Sequence, residues 1–131
     1  GRGQMLSLPS FLEKRRGIHE EYRRRLSGVP GLSLLENPDS RYHSNHWLTC
    51  VQVNPEEARF DRETLRLALQ KAGVESRPLW KPMHLQPVFR SCPFYGSGVS
   101  DRLFEEGLCL PSGASLAGED MDRIIDVLLN L

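Results

Sequence analysis

The stretch HWLTCVQV, His46 to Val53, limits the fold more than any other part of the sequence. Successive residues of a strand face opposite sides. Trp47, Thr49, Val51 and Val53 therefore share one side, and Leu48, Cys50 and Gln52 the other. Apolar residues fall on both, which is the pattern of a central strand rather than an edge one. The sheet around it needs partners. VESRPLW (Val74 to Trp80) reads as a short strand, and LCLP (Leu108 to Pro111) as another, stopped by its proline.

Helical periodicity supplies the rest. Leu8, Leu12, Ile18, Tyr22 and Leu26 share a broad apolar face, predicting a long helix from Pro9 to Leu26. Pro9 suits a first turn, and Ser27, Gly28 and Pro30 end the helix. NPEEARF leads into a second helix. There Asp61 is the N-cap, Phe60 and Leu65 have hydrophobic-staple spacing, and Gly73 closes the stripe of Leu65, Ala68, Leu69 and Ala72. Ser100 is expected to cap a short helix, Asp101 to Glu106, ended by Gly107. Met121, Ile124, Ile125 and Leu128 mark a last helix from Glu119 to Leu129, with acidic residues in its first turn. The predicted class is α+β: a small mixed or antiparallel sheet of three to four strands, with helices mainly on one face.

Bulk properties narrow the function. A chain of 131 residues fits one domain. Its 17 basic and 17 acidic residues cancel. That argues against a dedicated nucleic-acid or membrane binder, and EKRR and YRRRL read as a solvated helix face. No apolar run approaches the roughly 20 residues a spanning helix needs. GRGQMLSLPS has no signal-peptide core. Three widely spaced cysteines, Cys50, Cys92 and Cys109, read as free thiols in a reduced cytoplasmic setting. The opening residues lack a Met and run straight into a helix, as in a domain cut from something longer.

Several familiar chemistries find little support. His43, His46 and Cys50 are too few and too ill-placed for zinc. Cys92 precedes a proline without a neighbouring base, and Cys109 reads as a small buried hydrophobe. YGSGVS is neither a Walker loop nor a dinucleotide fingerprint. That leaves RPLWKPMHLQP, Arg77 to Pro87, too broken by proline for a helix interior and too polar for a buried strand. Trp80 can stack on a planar ring, His84 can donate to an anion, and Lys81 is the tempting Schiff-base amine. From the residues alone this is either a binding loop or a structural connector.

VESRPLWKPMHLQPVF, then SDRLFEEGLCLPSG and EDMDRIIDVL, resembles the C-terminal part of the DegT/DnrJ/StrS sugar aminotransferases. GQMLSLPSFLEKRRGIHEEYRRRL is similar to that family's connecting helix, and SNHWLTCVQV to the strand that follows it. The R-P-L-W-x-x-M-H form is closest to members that aminate a 4-keto-6-deoxy UDP-N-acetylhexosamine. The resemblance implies a pyridoxal-phosphate enzyme, cytoplasmic and homodimeric, that moves an amino group from glutamate to a keto-sugar nucleotide, as in cell-surface polysaccharide biosynthesis. It implies that residues 1–28 are the connecting helix and 29–131 the small C-terminal domain. The cofactor lysine would lie in a large N-terminal domain that these residues do not include. Arg77, Trp80, Lys81, Met83 and His84 would then face the sugar nucleotide, with Asn45 nearby. No catalytic, cofactor-binding or metal-binding residue is expected in this chain, which would be inactive alone. The alternative is a freestanding α+β ligand-binding or regulatory domain without catalysis.

Overall fold

The computed structural model describes residues 1–131. Five helices, α1 (Arg2–Leu26), α2 (Pro55–Ala58), α3 (Arg62–Lys71), α4 (Val99–Glu106) and α5 (Gly118–Leu129), accompany four strands. The strands are β1 (Leu32–Leu34), β2 (Thr49–Val53), β3 (Arg77–Pro78) and β4 (Gly107–Leu110). They form one sheet in the order β1-β2-β4-β3, and each neighbouring pair is antiparallel. The α+β reading holds, with an antiparallel sheet, and β2 is central as its two-sided apolar pattern requires.

Register divides the sheet into two faces. Val51 lies opposite Leu108 and Thr49 opposite Leu110. These residues point toward α1, α3 and α5, where Tyr22, Leu65, Leu69, Ile124 and Leu128 complete a buried cluster. Cys50 lies opposite Cys109 and Gln52 opposite Gly107 on the other face. That face is covered more thinly. The Gln52 side chain donates to Glu106 at the end of α4 at 3.0 Å. A Cβ on Gly107 would run into Leu79 and the Leu103 carbonyl, so only glycine lets α4 turn this tightly into β4.

Local chemistry sets the better-predicted boundaries. The Asp61 carboxylate accepts from the Thr64 N–H at 2.8 Å and caps α3. Gly73 follows α3 with φ +73°, the left-handed closure expected of it. In α5 all four predicted stripe residues are buried.

Elsewhere the structure corrects the sequence reading. Helix α1 starts at Arg2, so Pro9 sits in its interior and leaves one carbonyl unpaired. Leu8 and Phe11 are exposed on these early turns, whereas His19, Tyr22 and Leu26 are buried. Gly98, at φ +75°, takes the N-cap position of α4 in place of Ser100. Strand β1 went unpredicted. Its Leu-Ser-Leu alternation spans three residues, too few to stand out from a loop. Trp47 and Leu48 lie outside β2. No helix is long and apolar enough to cross a membrane.

Candidate functional site

Strand β3 is an edge of only two residues, so β4 loses its outer partner beyond Cys109. A cavity of about 600 Å³ opens there. Arg77 and Trp80 line it, together with Ser76, Cys109, Asp120 and Arg123. Its walls thus combine an indole, two guanidiniums and the apolar edge of the sheet.

Arg77 is exposed and bonded to the neighbouring Glu75, with Nη2 to Oε1 at 2.6 Å. A solvent-exposed pair of this kind contributes about 0–1 kcal/mol. The planar guanidinium can therefore exchange Glu75 for a phosphate oxygen pair at little cost. Arg123 is held in the same way by Asp120 at 3.0 Å. The Ser76 hydroxyl is buried and has no hydrogen-bond partner within the chain.

Trp80 is 67% exposed, and Trp47 is 59% exposed beside it, with ring centroids 6.1 Å apart and tilted by 37°. Asn45 explains the position of Trp47. Its side-chain oxygen accepts from the Trp47 N–H at 3.0 Å, a short Asx turn, while Arg15 on α1 donates to the Trp47 carbonyl at 3.0 Å. Asn45 therefore shapes the turn that presents an aromatic to the cavity rim. Just before Trp47, His46 stacks on His19 with centroids 3.7 Å apart and adopts φ +44°. Burial, then the neighbouring His19, holds the His46 imidazole below its ordinary pKa.

Past Trp80 the chain makes two short 3₁₀ turns, Met83–Leu85 and Pro87–Phe89. Lys81 and Met83 are exposed there and do not line the cavity. His84 does not line it either. Its Nε2 bonds Asp101 at 2.7 Å, and its ring stacks on Phe94 at 3.7 Å. His84 thus pins the loop to α4 through a hydrogen bond to a carboxylate. Of the six predicted binding residues, Arg77 and Trp80 share the cavity and Asn45 supports its rim. Lys81, Met83 and His84 lie on the adjoining loop.

Sequence reasoning missed Trp47, Phe94, Glu75 and Asp101 as parts of this site. Trp47 carried a strand-like pattern and was assigned to the sheet. Glu75, two residues before Arg77, was within reach of the sequence, whereas Phe94 and Asp101 meet His84 only once the loop docks on α4. His43 and His46 do not gather with Cys50: His46 meets His19, and the Cys50 sulfur lies 3.8 Å from that of Cys109.

Comparison with known proteins supports a single family. A model of the DegT/DnrJ/EryC1/StrS aminotransferase family matches residues 1–129. The chain is 34% identical over 135 aligned residues to EpsN of Bacillus subtilis (strain 168), named as a pyridoxal phosphate-dependent aminotransferase. That alignment covers 100% of this chain and 34% of EpsN. It is 26% identical to the GDP-perosamine synthase of Vibrio cholerae, covering 99% of this chain and 35% of that protein. Among solved structures, the aminotransferase TlmJ of Streptoalloteichus hindustanus superposes with a TM-score of 0.86 at 27% identity, over 99% of this chain and 34% of that one. DesI with its TDP-sugar product superposes with a TM-score of 0.84 at 25% identity, over 96% of this chain and 32% of that one. The chain thus spans about a third of the length of the relatives it matches. With a matching profile along nearly its whole length and the same fold, this chain belongs to the DegT/DnrJ/EryC1/StrS aminotransferase family.

Proposed function

We propose that these residues form the small C-terminal domain of a nucleotide-sugar aminotransferase and supply one wall of its sugar-nucleotide pocket. Residues 1–28 serve as the connecting helix and 29–131 as the sheet domain. The whole enzyme works in the cytoplasm as a homodimer, taking its amino group from glutamate. The observation that carries this reading is the Arg77–Trp80 cavity with its second tryptophan at the rim. A fork for pyrophosphate beside an aromatic platform for a sugar or base is what a nucleotide sugar requires. Lys81, Met83 and His84 extend the wall along the loop.

The chain's own residues do not fit the cofactor. Pyridoxal phosphate needs a lysine for its aldehyde and a partner for its pyridine nitrogen. Lys14, Lys71 and Lys81 are the only lysines, all are exposed, and none lines the Arg77–Trp80 cavity. A reactive amine needs burial or a crowding cation to become a nucleophile. In this reading the cofactor lysine belongs to another part of the enzyme, and the role of this domain is binding and orientation. Treating the chain with pyridoxal phosphate and borohydride should trap no stoichiometric adduct. A specific adduct at Lys81 would reverse the assignment.

The binding role has a direct readout. Trp47 and Trp80 are the only tryptophans among these residues, so tryptophan emission of this chain reports on this site. Titration with a UDP-N-acetylhexosamine should quench that emission saturably, and Arg77→Ala should weaken binding roughly ten-fold, as loss of one charge-assisted bond does. Unchanged emission at millimolar ligand, in this chain and in the full-length enzyme alike, would dismiss the pocket-wall role.

A further inference from the structure

One pair of side chains next to this cavity is not accounted for by sugar binding. Cys50 on β2 and Cys109 on β4 are 59 residues apart in sequence and directly opposite in register. Directly paired residues of antiparallel strands project from the same face, with Cα atoms about 4.5–5.5 Å apart. That span falls inside the roughly 4.4–6.8 Å a disulfide accepts. The two sulfurs already lie 3.8 Å apart, and both are free thiols. Closing the bond requires rotation about the two Cα–Cβ bonds and no slippage of the strands.

Access and reactivity agree with this placement. Cys109 is 7% exposed and is among the residues that line the cavity. Cys50 is half-buried beside it. Their contact splits their acidities. Hydrogen bonding to Cys109, then burial, pushes the Cys50 thiol far above its ordinary range. The same S–H, donated to the Cys109 sulfur, draws Cys109 below its ordinary value. Arg77 is the next residue across the sheet, opposite Cys109 on β3. The row Arg77, Cys109, Cys50 thus joins the candidate binding wall to the dithiol.

We propose that Cys50 and Cys109 form a cross-strand dithiol that low-molecular-weight disulfides entering the cavity convert to an intramolecular disulfide. The Cys109 thiolate attacks one sulfur of the small disulfide, forming a mixed disulfide and releasing one small thiolate. The Cys50 sulfur then attacks Cys109, closing the Cys50–Cys109 bond and releasing the second. The two protein thiols are oxidised, the small disulfide is reduced to two thiols, and the protons from Cys50 and Cys109 pass to the departing thiolates. The product ties the central strand to β4 beside the cavity. Excess small thiol reverses it. This inference rests on sheet register and is independent of the sugar-binding assignment.

The experiment uses the Cys92→Ser chain, which removes the exposed third thiol. Folded protein is incubated with excess bis(2-aminoethyl) disulfide, alkylated with N-ethylmaleimide, and read by intact-mass and peptide-mass spectrometry. The expected product is lighter than the starting chain by two hydrogens, carries no alkyl group, yields a linked Cys50–Cys109 peptide, and regains both thiols on reduction. Doubly alkylated protein would overturn the proposal, as would a product holding two separate mixed disulfides. The wild-type chain supplies a second measurement. Folded, it should link Cys50 to Cys109 and leave the small thiol on Cys92. Equal mixtures of all three pairings, folded and in denaturant, would show that register plays no part and would also overturn it.

Discussion

On the helix side of the sheet, Val51, Val53, Leu108 and Leu110 are at most 1% exposed and share one cluster with α1, α3 and α5. Across the sheet, the segment after β3 leaves Trp80, Met83, Val88 and Tyr95 in solvent, the last at 92% exposure. The first region is dense with long-range apolar contact. The second is held by short-range backbone bonds within its 3₁₀ turns and by His84 bonded to Asp101. Burial of apolar area stabilises the first by about 25 cal/mol per Å² removed from water. The second contributes little to that sum and keeps large aromatic surface available. The buried face thus carries stability and the exposed segment, in the proposed role, contributes aromatic surface to recognition, and substitutions should separate the two.

The largest effect tests that separation. Leu108→Ala removes a fully buried side chain and should cost about 2–5 kcal/mol in chemical denaturation. Trp80→Ala, at an exposed position, should change stability by no more than about 0.5 kcal/mol while removing most of the ligand-dependent quenching. Equal losses of stability from the two would show that the loop belongs to the core after all.

A smaller effect sharpens the account of the loop. Asp101→Ala removes the partner of His84 and should cost about 1 kcal/mol, the net value of one such bond. Amide exchange should rise across residues 83–94 and stay constant in β2 and β4. Unaltered exchange in the loop would mean that the Phe94 stack alone holds His84.

The smallest effect is a pH dependence at the rim. The folded-state pKa of His46 lies below the ordinary value of about 6.5. Above that value neither state is protonated, and the group adds nothing to the slope. As pH falls through about 6.5 the unfolded chain takes up a proton that the folded chain resists, so stability drops until the folded-state pKa is reached. His46→Asn keeps a residue that tolerates positive φ and removes the titration. Denaturation midpoints between about pH 7 and 5 should be flatter in that variant. An unchanged slope would assign the dependence to other groups.

The regions also differ in how legible they were. Asp61, Gly73 and the Met121–Leu128 stripe were readable because caps and helical faces involve residues within about one turn of each other. The central strand was readable because both of its faces are apolar. Strand β1 was too short to announce itself. The early start of α1 contradicts the preference of Pro9 for a first turn, since the helix continues through the proline. In the site, RPLW marked Arg77 and Trp80 through resemblance and through residue chemistry. Nothing near Asn45 indicated that its turn delivers Trp47 to Trp80.

By itself, the sequence determined the fold class, the family resemblance and the elements stabilised by their own neighbours. Only the tertiary structure decided which remote residues meet. It set Cys50 against Cys109, Trp47 beside Trp80 and His84 on Asp101. Each of these contacts depends on strand register or loop docking. A slip of one residue in a strand moves every side chain to the opposite face, so register answers to burial of the entire core and not to any local preference.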